Sequence, residues 1–186
     1  MHPYPDSLRT RILALAQGDG RVELDELGML DGLIAQTFAA AANTLLQQAN
    51  LKQNAICAIG SHGQTIRHRP RHKPAYSLQL GDPNLIAELT GIPVVADFRR
   101  RDLAAGGEGA PLVPAFHSAM FEQPATTRVI LNLGGIANVT VLPGDTNSDV
   151  IGFDTGPGNC LLDAWAERQL GQPYDRGGAL ARSGHV

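Results

Sequence analysis

Short apolar runs that break on glycine, separated by stretches with three- and four-residue apolar steps, constrain the fold of this chain most. Residues 55–59, Ala-Ile-Cys-Ala-Ile, run into Gly60, and residues 129–133 run into Gly134-Gly135. Such runs read as strands buried on both faces. Residues 76–80 alternate and read as a half-exposed strand, and residues 92–96 as another with Pro93 near its start. Residues 137–142 and 150–153 add two more, the first closing a hairpin around Gly134-Gly135.

Helical patterns lie between these runs. Pro5-Asp6-Ser7 followed by Leu8, Ile12 and Leu15 predicts a short helix ending near Gly18. Leu24, Leu27, Leu30, Ile34, Phe38, Ala41 and Leu45 place one apolar stripe along a long helix. Gly28 and Gly32 weaken it by about 1 kcal/mol each, so packing must hold it. Asp82-Pro83 starts a further helix and Gly91 ends it. Residues 112–121 predict another, and residues 159–170 a last one with Leu161, Leu162 and Trp165 inward.

The alternation predicts an α/β architecture. The strand pattern restarts near residue 126, which divides the chain into a first lobe, 1–125, and a second, 126–186. The opening helices have no strand to cover, and the second stretch is small for a core of its own. Both lobes are therefore expected to be incomplete, with truncation at each end.

The chain has 186 residues, 43% hydrophobic and 18% charged, with 21 glycines, as in a globular protein with tight turns. A net charge of -3 argues against a nucleic-acid module, which needs a basic surplus. The start resembles no signal peptide, and no run approaches the roughly 18 apolar residues of a membrane span. A soluble, cytoplasmic protein is expected, with Cys57 and Cys160 as buried free thiols.

In α/β proteins ligands bind where strands end. Gly60-Ser61-His62-Gly63-Gln64-Thr65 follows a predicted strand and offers hydrogen bonds to sugar hydroxyls or an amide. These residues also suit a plain polar turn, and alone they leave the two readings open. Asp97-Phe98-Arg99-Arg100-Arg101-Asp102 follows another strand, where an arginine can hold a carboxylate or phosphate. The basic run at residues 67–73 reads as an exposed loop without a role, and the glycines of residues 105–110 as a flexible bend.

Asn132-Leu133-Gly134-Gly135-Ile136-Ala137-Asn138 is a strand-Gly-Gly-strand hairpin whose backbone N–H groups can cradle phosphate oxygens. No Gly-Lys-Ser/Thr follows it, so it is not a Walker loop. Ile151-Gly152-Phe153-Asp154-Thr155-Gly156-Pro157-Gly158-Asn159 puts a carboxylate at a strand tip and then turns into a helix. That helix N-terminus is expected to point back at Asp154 and keep it ionised, fit to act as a base. Asp-Thr-Gly also occurs in aspartic proteases, but those enzymes need two such loops on a mostly β fold. One copy followed by Pro-Gly and a helix argues against a protease.

Together these segments resemble the anhydro-N-acetylmuramic acid kinases of the actin/hexokinase/Hsp70-like superfamily. The matching stretches are residues 58–67, 79–83, 89–102, 105–117, 131–138 and 152–159, six in the family's order. The resemblance implies a two-lobed actin-like ATPase (ribonuclease H-like) architecture around a cleft that takes ATP with Mg²⁺ and the sugar. The implied reaction opens 1,6-anhydro-N-acetylmuramic acid and phosphorylates the freed O6, giving N-acetylmuramic acid 6-phosphate in cell-wall recycling. It implies Asp154 as the catalytic base. Asn132, Gly134, Gly135 and Gly156 fall to the nucleotide, Ser61, His62, Gly63 and Arg101 to the sugar, and no residue to a metal. The expected partners are the amino sugar, ATP and a second copy in a homodimer, without nucleic acid or membrane.

The family's opening strand with a Gly-Thr-Ser-x-Asp-Gly loop, and its C-terminal part, have no counterpart in these residues. The chain alone is thus expected to be inactive. A sugar-binding remnant and another sugar kinase of the superfamily are the alternative readings.

Overall fold

The computed structural model describes residues 2–145 and 147–185. Its elements follow one another as α1 (Asp6–Gln17), α2 (Leu24–Ala49), β1 (Ile59–Ser61), β2 (Gln64–Arg69), β3 (Tyr76–Leu80), α3 (Pro83–Thr90), β4 (Val94–Ala96) and α4 (Phe98–Ala104). They continue with α5 (Pro114–Phe121), β5 (Arg128–Leu133), β6 (Ile136–Leu142), β7 (Ile151–Pro157), α6 (Asn159–Leu170) and α7 (Ala179–Ser183). This is the α/β mixture that the alternating pattern predicts. The chain forms two compact units, Met1–Gly109 and Ala110–Val186. Sequence texture put the change at residue 126; the units divide earlier because α5 packs on β6.

In the first unit, Leu8, Ile12 and Leu15 of α1 and Leu30 and Ile34 of α2 bury themselves against Ile66 and Leu80 of the β2–β3 hairpin. The opening helices therefore do have strands to cover, and those strands follow them in sequence. Arg67 ties the two layers together: its Nη2 donates to the Leu15 carbonyl at the end of α1, 3.2 Å away. The basic run expected to be a loop thus supplies half of β2, with Arg67, His68 and Arg69 paired to β3. Gly32 faces α3, the ideal Cβ position lying 4.0 Å from Leu85 Cδ2, so a glycine that weakens α2 lets α3 approach.

The Asp82-Pro83 signal holds: the Asp82 carboxylate accepts the Asn84 backbone N–H at 2.8 Å, and Gly91 ends α3 in the left-handed region. Residues 55–59 do not form the fully buried strand expected of them. A 3-10 turn occupies Gln53–Ala55, and the strand starts only at Ile59, because its single partner among the described residues is the three-residue β4.

In the second unit the three strands lie in the order β5-β6-β7, all antiparallel. One face carries Thr140 and Leu142, both buried, with α5 across them; His117 Nδ1 meets Thr140 Oγ1 at 2.9 Å. Gly152 lies under the start of α5, where a Cβ would fall 2.4 Å from Pro114 Cγ. The other face, with Val129, Leu131, Ile151 and Phe153, is exposed. Leu161, Leu162 and Trp165 of α6 stand out as well, at 61%, 65% and 54% exposure, against the expectation that they point inward. Ala166 is the buried residue of that helix, which is otherwise anchored by backbone hydrogen bonds at its start. Cys57 and Cys160 are free, as expected, but exposed. No helix among the described residues is long and apolar enough to cross a membrane.

Candidate active site

The residues singled out by sequence fall into two sets, one in each unit. In the first unit β1 and β4 run parallel, with Ser61 opposite Ala96, so the loops that leave both strands emerge at the same edge. That topology makes neighbours of His62 and the arginine segment. The Arg99 Nε–H donates to His62 Nε2 at 2.9 Å, and His62 Nδ1 lies 2.9 Å from the Gly63 carbonyl. Both bonds fit the tautomer with its proton on Nδ1.

Gly63, at φ 71°, holds this loop against β3. A Cβ there would meet Gln79 Cβ at 2.9 Å and the Leu80 carbonyl at 3.0 Å, so no other residue fits without movement. Beside it opens a cavity of about 220 Å³ lined by Ser61, His62, Gly63, Gln79, Asp82 and Arg100 among others. The far wall, the turn from β3 into α3, is fastened from α2: Asp31 Oδ1 accepts the Gly81 N–H at 2.6 Å.

Of the three arginines, Arg99 bonds His62, Arg100 reaches the cavity and pairs with Asp97 at 2.7 Å, and Arg101 points from α4 to solvent. The sequence singles out Arg101 within this segment, whereas Arg99 stands at the loop and Arg100 and Asp31 line the cavity. The missed signal is Asp97, which takes φ 61° and starts α4, so residues 98–104 follow a helical rather than an extended period. Asp31 falls within the apolar stripe of α2, four residues after Leu27 and three before Ile34, and that one polar residue on the packed face is the signal left unused.

The second set gathers at the glycine end of the β5–β6–β7 sheet. Asn132 of β5 stands opposite Asn138 of β6, which stands opposite Asp154 of β7. A bulge falls at this level: Ala137 pairs with Gly156 and Asn138 with Asp154, leaving Thr155 as the extra residue. The Thr155 hydroxyl donates to the Ala137 carbonyl at 3.1 Å and pins the bulge. Bulges re-aim side chains and recur beside active sites. After it, Gly156 at φ 130° adopts a conformation that suits only glycine, and the chain turns through Pro157 and Gly158 into α6.

The helix N-terminus does not serve Asp154 as expected. The Gly158 and Asn159 N–H groups donate to the Gly135 and Gly134 carbonyls at 2.9 and 2.8 Å, and Cys160 N–H also reaches Gly135 at 3.2 Å. The first amides of α6 are thus spent on the hairpin. Asn159 Nδ2 adds a bond to the Leu133 carbonyl at 2.8 Å. The result is a strut: the Gly-Gly turn gives its carbonyls to α6, which locks turn and helix together. Among the described residues, Asp154, Asn132 and Asn138 have no side-chain hydrogen bond or ion pair. None of the described residues forms a group of three or more His, Cys, Asp or Glu that could hold a metal ion.

The chain was compared with known proteins as a whole. Residues 1–186 match the family model described as AnmK, anhydro-N-acetylmuramic acid kinase. A Shewanella pealeana protein of the name anhydro-N-acetylmuramic acid kinase is 59% identical over 165 residues, 89% of this chain and 44% of its own length. Proteins of the same name from Acinetobacter baylyi and Xanthomonas axonopodis pv. citri are each 55% identical over 183 residues, 98% of this chain and 48% of theirs. The chain spans about half the length of the curated relatives it matches.

Proposed function

The chain belongs to the anhydro-N-acetylmuramic acid kinase family, and on that premise we propose that it carries the base and part of the substrate-binding groups of an ATP-dependent amino-sugar kinase. The observation that carries this reading is the setting of Asp154: an unpaired carboxylate at a pinned bulge, on the strand beside a Gly-Gly turn locked to a helix.

The acceptor in this reading is 1,6-anhydro-N-acetylmuramic acid. Asp154 takes a proton from water as the water oxygen bonds to the anomeric carbon. The bond from that carbon to O6 breaks, and O6 attacks the γ-phosphorus of ATP as the bond to the β–γ bridging oxygen breaks. The products are N-acetylmuramic acid 6-phosphate, ADP and one proton. A base that must accept a proton in the transition state needs a free carboxylate lone pair, which Asp154 has. Phosphoryl transfer asks the protein mainly for positioning and charge stabilisation. Gly134, Gly135 and Gly156, held without side chains that could block approach, take the phosphates in this reading, with Asn132 on β5 just before the turn. Mg²⁺ arrives as the counter-ion of ATP, as part of that substrate. Ser61, His62 and Gly63 face the sugar in this account, and Arg101, exposed on α4, is assigned to it by family resemblance alone. The work belongs to cell-wall recycling in the cytoplasm.

The test is sugar-dependent release of ADP by the protein as its native host produces it. A phosphate ester on O6 of the opened sugar supports the reading. Sugar affinity without ATP affinity or turnover replaces it with a binding role.

A further inference from the structure

We propose that Asn138 is the positioning residue for Asp154, an inference that rests on the kinase reading above. Its ground is the register of the second sheet. Asn132 and Asn138 are direct partners across β5 and β6, and Asn138 and Asp154 are direct partners across β6 and β7. Directly opposed residues share a face, with Cβ atoms about 4.5–5.5 Å apart. Three short polar side chains therefore stand abreast, with Asn138 in the middle.

That row marks where the face opens. Two residues farther along each strand, Thr140 and Gly152 are direct partners, closed off by His117 and Pro114 of α5. At the row itself Asn138 is half-buried, and Asp154 and Asn132 are exposed. A neighbour that aims the base must sit here, at the mouth and against the carboxylate. The bulge fixes the backbone on the far side of Asp154, because Thr155 is tied to Ala137, the residue before Asn138. Backbone on one side and amide on the other would leave the Asp154 side chain little freedom to turn.

The chemistry of the amide suits the task. Asn138 brings two N–H donors and one acceptor and neither gains nor loses a proton near neutral pH. It can hold one carboxylate oxygen without competing for the proton that the other must accept. A carboxylate in its place would share a proton with Asp154. Asn138 acts through Asp154 and is not itself a catalytic residue.

The experiment compares steady-state kinetics of the protein from its native host with Asn138→Ala and Asn138→Asp introduced at the chromosomal locus. Loss of the neighbour that confines the Asp154 carboxylate leaves the base misaimed and predicts a fall in kcat of about 10–100-fold for Asn138→Ala. KM for the sugar and for ATP should stay within about threefold. Asn138→Asp, of the same size, should move the acid limb of the pH–rate profile upward, which a position out of reach of Asp154 would not do. It also provides the reading if Asn138→Ala does not fold. A wild type that turns over while both variants keep kcat within about twofold and the same profile overturns the inference alone. A wild type without sugar-dependent ADP release overturns the kinase reading and this inference with it.

Discussion

Asp31 and Gly81, on α2 and at the end of β3, are joined by a 2.6 Å hydrogen bond from the glycine N–H to the carboxylate. Gly81 is buried at φ 118°, and a Cβ there would come within 3.2 Å of Ile34 Cγ2 and 3.3 Å of Phe38 Cε2. The turn that walls the first-unit cavity is thereby pressed onto α2. Asp31→Ala strands a buried donor, and the expected loss is about 1–3 kcal/mol of unfolding free energy. Urea denaturation measures it, and Asp31→Asn, which keeps an acceptor oxygen, should recover most of it. An unchanged urea midpoint in Asp31→Ala would show that the turn is held by packing alone.

Arg67 caps the carbonyl end of α1 from a different element. Its removal as Arg67→Ala should cost about 1–2 kcal/mol, since both the hydrogen bond and the favourable charge at a helix C-terminus are lost. Arg67→Lys keeps the charge but not the planar reach and should fall between. Equal stability of all three proteins in the same urea titration counts against the cap.

The strut between the Gly-Gly turn and α6 predicts that Gly158→Ala is costly. Its Cβ would lie 2.6 Å from the Gly134 carbonyl oxygen and 3.3 Å from the Ala137 nitrogen. Overpacking of this kind costs about 1–3 kcal/mol. If Gly134 and Gly135 hold phosphates, nucleotide affinity should fall more than sugar affinity. Calorimetric titration with each ligand tests this, and an equal fall in both contradicts the assignment.

Acid should destabilise the chain through two carboxylates in particular. The hydrogen bond from Arg11 holds Glu26 below its ordinary range, and the backbone N–H groups of Leu180 and Ala181 do the same for Asp175. A carboxylate whose pKa is depressed by folding stabilises the fold above its unfolded value, about 4, and loses that contribution as pH falls through its folded value. Melting temperature should therefore drop as pH falls below about 4, and the double variant Glu26→Gln, Asp175→Asn should flatten that drop. An acid slope unchanged in the double variant removes these two groups from the account.

Much of this was legible in the sequence because it rests on local chemistry. Asp82-Pro83 and Gly91 bracket α3, and the Gly134-Gly135 hairpin pairs as its pattern predicts. The strand expected before Gly-Pro-Gly forms and carries Asp154. What escaped depends on contacts distant in sequence. Nothing near Asp31 announces Gly81, and nothing near Arg67 announces the end of α1. Leu161, Leu162 and Trp165 were expected inward because apolar residues at helical spacing usually are, yet α6 meets its unit through backbone bonds and Ala166. Pairing of Asn132, Asn138 and Asp154 needed the register, which a one-residue bulge shifts and no spacing rule reveals.

The proposed kinase chemistry turns on Asp154 as the base. Its most direct test is Asp154→Asn in the protein from its native host, assayed for formation of N-acetylmuramic acid 6-phosphate from Mg-ATP and the anhydro sugar. If Asp154 takes the proton, kcat falls about 10²–10⁴-fold, with affinity for both ligands retained. Turnover within about threefold of wild type would show that the proton goes elsewhere and would contradict it.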